Sequence, residues 1–200
     1  MRKPGRAVFT SLFAFAAVSA AGRAAYAQDT IRSPGDHPNY AVEIEPHVDL
    51  NWFDNVGYGF GGDAGIGLGL RASIPIVQNG FIPTINNTVA IGFGGDAVYF
   101  GCGFNGVNCG LWTLYFPVVL QWNFYVAPHF SVFGEPGFSL DYAFYNGTLC
   151  SGVGGKLCSV GSNFFPGPVF EIGGRYHINQ HLALTARIGY PQITFGVSFM

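Results

Sequence analysis

From Tyr40 to the C-terminus, apolar and polar positions alternate with a period of two, and the alternation recurs in eight segments. The first segment sets Val42, Ile44, Val48, Leu50 and Trp52 on one face, against Glu43, Glu45, His47, Asp49 and Asn51 on the other. The second sets Ala64, Ile66, Leu68, Leu70, Ile74 and Ile76 against Asp63, Gly65, Gly67, Gly69, Arg71 and Ser73. Successive side chains of a strand point to opposite faces, so this period predicts strands rather than helices. Fainter alternation predicts further strands at about 87–100, 111–125, 130–145 and 165–177. It sharpens again over 182–188 and 193–199.

The connections alternate as well. Those near 77–86, 126–129 and 178–181 are tight. Those near 54–62, 101–110 and 146–163 are longer and rich in Gly and Asn, and the last, around Pro191, is short. An even number of strands with one short-turn end and one long-loop end is how a transmembrane barrel is strung.

Composition decides which face meets what. The chain is 49% hydrophobic but only 10% charged, with 30 glycines in 200 residues. A soluble domain would carry roughly 25% charged residues, and a disordered one far fewer apolar residues. No apolar run after the N-terminal region is long enough for a spanning helix. A soluble lipocalin-like barrel has an apolar interior and a solvated exterior. Here one face is uniformly bulky and the other is Gly, Ser, Asp, Glu and Arg, which suits a polar lumen inside a lipid-facing wall. Two aromatic bands agree with interfacial girdles. Trp52, Tyr99, Trp112, Tyr142, Phe144, Phe165 and Tyr190 lie near the loops, and Tyr40, Trp122, Phe124, Tyr125, Phe130 and Tyr176 near the turns. The competing assignment makes these aromatics the core of a soluble sandwich.

The N-terminus has the form of an export signal. Arg2, Lys3 and Arg6 precede an apolar run from Ala7 to Ala21, and Ala25-Tyr26-Ala27 fits a small-x-small cleavage site. Residues 1–27 are therefore expected to be removed, with 28–39 a flexible periplasmic lead-in and 40–200 the barrel. Cleavage leaves five basic residues against eleven acidic ones, a net charge of −6, which argues against nucleic acid. Export also suits disulfides. Cys102 with Cys109 and Cys150 with Cys158 each fall in one loop region, and local pairing is the economical choice among three connectivities. Neither loop has zinc-site spacing.

Taken together, the segments over 40–200 resemble the small outer-membrane β-barrel group typified by the OmpA transmembrane domain and OmpX. Ile193, Phe195, Val197 and Phe199 match the apolar-alternating last strand of that group, although Met200 follows the aromatic. The resemblance implies an eight-stranded antiparallel up-and-down transmembrane barrel, an outer-membrane lipid environment and passage through the barrel-assembly machinery. It places both termini in the periplasm and both cysteine loops outside.

Hairpin register supplies candidate lumen pairs, because facing residue numbers sum to a constant fixed by the turn. It predicts Glu171 opposite Arg187, Glu135 opposite or diagonal to Arg175, and Glu45 opposite Arg71 with Glu43 diagonal. Each inward arginine would then have a glutamate on the adjoining strand, as buried charges require. The bland alternative leaves these charges solvated, without fixed partners. The same arithmetic sets Cys102 opposite Cys109 and Tyr99 opposite Trp112.

Other constellations carry less. Gly59-Phe60-Gly61-Gly62-Asp63-Ala64 recurs as Gly92-Phe93-Gly94-Gly95-Asp96-Ala97. A calcium site using Asp63 and Asp96 is conceivable, but glycine easing strand curvature accounts for the repeat. Gly57, Gly59 and Gly62 match a dinucleotide fingerprint that opens no helix. His47 among Glu45 and Asp49 is read as a polar filler of the lumen. His177 and His181 flank a turn better explained by solvent than by a metal. Lipid-modifying barrels need a histidine at the outer rim, whereas His37, His129, His177 and His181 fall at the turn end. No catalytic motif, cofactor or metal is expected. The sequence thus predicts a non-enzymatic envelope barrel with a plugged polar lumen and a structural or surface-interaction role. A narrow channel for small or apolar solutes is the alternative, and a lipid-modifying enzyme comes third. Nothing in the sequence demands more than a monomer.

Overall fold

The computed structural model describes residues 30–51, 64–104, 107–146 and 163–200. Eight antiparallel strands follow one another around a closed barrel. They are β1 (Glu43–Asn51), β2 (Gly65–Val77), β3 (Asn87–Phe104), β4 (Val107–Ala127), β5 (Phe130–Asn146), β6 (Asn163–His177), β7 (Leu182–Tyr190) and β8 (Ile193–Phe199). Each strand pairs with its sequence neighbours, and β1 closes the ring by pairing antiparallel with β8. Closure leaves no unpaired edge, the condition lipid imposes on a sheet.

Burial follows the period-two pattern but with the usual polarity reversed. Along β1, Glu43, Glu45, His47, Asp49 and Asn51 are buried while Ile44 and Val48, with Val42 just before the strand, are exposed. The outside of the barrel carries Leu68 (68% exposed), Phe170 (64%) and Ile66 (63%) with many similar residues on every strand. The inside holds Arg71, Arg175, Arg187, Glu135 and Glu171, each almost wholly enclosed. An apolar shell around a charged core is stable where the surroundings are hydrocarbon rather than water.

Three expectations need correction. The region 101–110 is not a long loop, since β3 runs to Phe104 and β4 starts at Val107. Gly and Asn weaken a strand locally, but the cross-strand ladder continues through them. Tyr40 and Tyr125 do not belong to the turn-side aromatic band, because both are buried. Tyr125 shares the inward parity of Tyr115, Gln121 and Asn123 on β4, while Trp122 and Phe124 take the outward positions. Finally, two of the four hairpin registers differ from those expected, as described below.

The segment before β1 is tied to the turn end of the barrel. The Asn86 backbone N–H donates to the Ile31 carbonyl at 2.7 Å, and its side-chain amide donates to the Asp36 carbonyl at 2.6 Å. The His37 ring stacks on Tyr125 with centroids 4.9 Å apart.

Candidate functional site

The chemistry of this barrel lies in its lumen. Lumen-facing positions carry seven buried carboxylates among the described residues: Glu43, Glu45, Asp49, Asp96, Glu135, Asp141 and Glu171. Against them stand three guanidiniums, Arg71, Arg175 and Arg187, and the buried imidazoles His47 and His177. An isolated charge is costly to bury, so the geometry of pairing decides whether this set holds together.

The middle layer is a continuous ion-pair chain across the lumen. Arg71 Nη1 donates to Glu135 Oε2 at 2.8 Å and to Glu171 Oε2 at 2.9 Å. The same Glu135 oxygen accepts from Arg187 Nε at 2.9 Å, while its Oε1 accepts from Gln121 at 2.6 Å. Arg187 then grips Glu45 with both terminal nitrogens, one of them at 2.9 Å, and Ser198 donates to Glu45 at 3.0 Å. Strands β2, β4, β5, β6, β7, β8 and β1 are thereby joined through side chains alone.

Toward the turn end, Arg175 Nη2 lies 2.6 Å from Glu43 Oε1, and Tyr40 donates to the other Glu43 oxygen at 3.3 Å. The Arg175 and Arg187 guanidiniums lie 5.0 and 5.1 Å from the ring centre of Phe133, so one aromatic receives two cation–π contacts. Toward the loop end, His47, Asp49 and Asp96 form a buried cluster. Gln192, from the connection between β7 and β8, donates to Asp96 Oδ2 at 2.8 Å.

The structure places Glu43, Glu45, Arg71, Glu135, Glu171, Arg175 and Arg187 inside the barrel, but the partners differ from the hairpin arithmetic. Glu45 does face Arg71 in the β1–β2 register. Its side chain nevertheless pairs with Arg187, and Arg71 reaches Glu135 and Glu171 instead. Glu171 faces Gly189, not Arg187, which faces Gly173. Glu135 faces Glu171, and Arg175 faces Ser131. The physical reason is reach. Arginine extends past its neighbour into a narrow lumen, where an eight-stranded barrel leaves only side-chain room.

Sequence reasoning missed Gln121, Phe133, Gln192, Thr194 and Ser198. The alternation of the last strand already puts Thr194 and Ser198 on the polar face; the parity of Gln121 and Phe133 is definite only with the limits of β4 and β5, and Gln192 lies in the connection between β7 and β8. Tyr99 does face Trp112, and Cys102 faces Cys109 along the backbone. The side chains of those two cysteines, all of Cys150 and Cys158, and Asp63 with the glycine-rich stretch just before it lie outside the described residues. So does the proposed leader.

A closed eight-stranded ring, apolar outside and charged inside, is a membrane β-barrel with the architecture of the small outer-membrane barrel group. No protein-family model matches the sequence, and no curated protein matches it. Solved structures do resemble it. Ail, the attachment invasion locus protein of Yersinia pestis, is 12% identical with a TM-score of 0.50, over 79% of this chain and 95% of that one. The same protein in complex with the heparin analogue sucrose octasulfate gives 0.49 at 12% identity and the same coverage. Its backbone structure in a phospholipid bilayer nanodisc gives 0.32 at 12% identity, over 78% and 97% of the two chains. At this identity the likeness concerns the fold.

Proposed function

We propose that this chain is a non-enzymatic protein of the bacterial outer membrane whose lumen is plugged by paired charges, and whose role is structural or that of a surface presented by its outer loops. Both termini lie in the periplasm in this proposal, residues 1–27 are removed on export, and the cysteines tie the outer loops. The exposed apolar band on every strand supports the membrane setting. The backbone register of Cys102 with Cys109 is compatible with the first of the two bridges.

One observation carries the plugged lumen. The chain Glu171–Arg71–Glu135–Arg187–Glu45 crosses the barrel at mid-height, with every member at most 2% exposed. Opening a path would require breaking charge-assisted bonds that leave uncompensated charges behind.

Planar bilayer recording tests this. The expected result is an absence of steady unitary conductance in the wild type, with leak appearing only in Arg71→Ala or Glu171→Ala. Steady conductance by the unaltered protein would instead assign it as a narrow channel for small solutes.

A further inference from the structure

We propose that His47, Asp49 and Asp96 form a binding site for a divalent first-row transition-metal ion, with zinc-like preferences, in the loop-side half of the lumen. This goes beyond the envelope role and does not depend on whether the barrel conducts.

The geometry comes first. His47 Nε2 lies 3.0 Å from Asp96 Oδ1 and 3.3 Å from Asp49 Oδ1. One donor atom from each residue falls within 4.8 Å of the other two, and all three side chains are buried. A metal held by bonds of roughly 2.0–2.1 Å spaces tetrahedral donors by about 3.3 Å, so the cluster already has the dimensions of a coordination shell. The strand between them makes the room. Gly69 faces His47 on one side and Asp96 on the other, and a Cβ there would come within 2.2 Å of both His47 Nε2 and Asp96 Oδ1.

The orientation of the donors is equally specific. His47 Nδ1 lies 3.2 Å from the Glu45 backbone carbonyl, which can only accept, so Nδ1 carries a proton. Nε2 is thereby turned toward two carboxylates, which in their ionised form are also acceptors. Three lone-pair donors facing one another need a cation among them, either a second proton on His47 or a metal. A ligating histidine whose other nitrogen donates to a carbonyl is the usual outer-shell arrangement at metal sites. Asp96 is oriented in the same way, with its far oxygen Oδ2 taken by Gln192 at 2.8 Å and approached by Arg71 Nη2 at 4.0 Å.

A second observation is independent of these distances. Asp49 Oδ2, the Thr194 hydroxyl and the Gln192 carbonyl oxygen are buried with no hydrogen-bond partner among the described residues. Thr194 faces Asp49 across β1 and β8, and Gln192 already touches Asp96. Buried oxygens are rarely left unsatisfied, and these belong to Asp49 itself and to two residues placed beside the cluster by register and by the Gln192–Asp96 bond. An imidazole with two carboxylates favours zinc, cobalt or nickel over calcium or magnesium, which prefer all-oxygen shells. Two carboxylates and a neutral imidazole also balance the charge of a divalent ion.

The test uses the protein folded in detergent, titrated with Co²⁺ as a visible reporter and then with Zn²⁺. One equivalent of Co²⁺ should bind with d–d absorption, and Zn²⁺ should displace it. His47→Gln and Asp49→Asn should each weaken binding by at least about tenfold. His181→Gln, on an exposed turn, should leave binding unchanged. Each variant is checked for its heat-modifiable gel shift. If His47→Gln does not fold, the wild type decides, because the His47 Nε2 ¹⁵N resonance must move on adding Zn²⁺. A titration without saturable uptake, equal binding in His47→Gln and Asp49→Asn, or an unmoved resonance overturns the site.

Discussion

Glu135 Oε2 accepts from Arg187 Nε at 2.9 Å although the two residues sit on β5 and β7, which are not neighbours in the sheet. The same oxygen accepts from Arg71 on β2, so one carboxylate holds two guanidiniums that come from opposite sides. Glu135 is therefore the centre of the lumen network rather than one member of a cross-strand pair.

Glu135→Gln should cost more than the same change at Glu171. It leaves Arg71 and Arg187 buried with one anionic partner fewer each, and breaking a buried pair in this way costs about 3–5 kcal/mol. Glu171→Gln should cost far less, about 1 kcal/mol or under. Arg71 keeps Glu135, and the like-charge opposition of Glu135 and Glu171 across β5–β6 is relieved. Urea unfolding of the two variants in lipid vesicles measures the difference, and equal losses would mean that Glu135 is not the hub.

How much of this was legible in the sequence depends on which property each residue expresses. The alternation of Glu43 to Asn51 against Ile44, Val48 and Leu50 reports a backbone period, and the strand follows from it directly. The inward position of Arg71, Arg175 and Arg187 follows from parity in the same way. The partners do not. Parity says which wall a side chain leaves, not how far it reaches, and Arg71 passes its register partner Glu45 to meet Glu135. Register in β6–β7 also turns on a two-residue shift at the connection, which neither Gly nor Asn content announces. The His47 cluster was harder still. His47 and Asp49 share a segment, but Asp96 arrives from β3 only because Gly69 leaves the intervening strand bare.

The exterior should tolerate charge according to depth. Leu70, in the middle of β2, is about half exposed on the lipid face, while Val42 precedes β1 at the turn end. Leu70→Arg should destabilise the folded barrel by about 2–4 kcal/mol, and Val42→Arg by about 0–1 kcal/mol. Unfolding in vesicles compares them. Equal and small effects would indicate that the apolar face meets water.

Gly189→Ala should impair barrel closure at β6–β7. A Cβ at Gly189 would come within 2.1 Å of the Phe170 carbonyl oxygen and 2.6 Å of the Glu171 Cα, both backbone atoms that cannot swing aside. Overpacking of this kind costs about 1–3 kcal/mol. Gly95→Ala, which meets only Phe116 ring carbons at 3.7 Å, is the matched control. The folding yield of the two variants by heat-modifiable mobility separates a steric requirement from a general preference for glycine.

The segment before β1 supplies the last test. Asn86 is buried and holds this segment through two bonds, of which the side-chain one to the Asp36 carbonyl is removed in Asn86→Ala while the backbone one to Ile31 remains. A net loss of about 1 kcal/mol corresponds to roughly fivefold more of the detached state. Arg32 lies exposed within the segment and offers trypsin a site. When cleavage requires detachment and reclosure is fast, its rate follows the population of the open form. Trypsin should then cut after Arg32 roughly fivefold faster in Asn86→Ala than in the wild type, with the barrel itself intact on the gel. Identical rates would show that the Asn86 side chain does not restrain the segment, whose remaining ties include the backbone bond to Ile31 and the His37 stack on Tyr125.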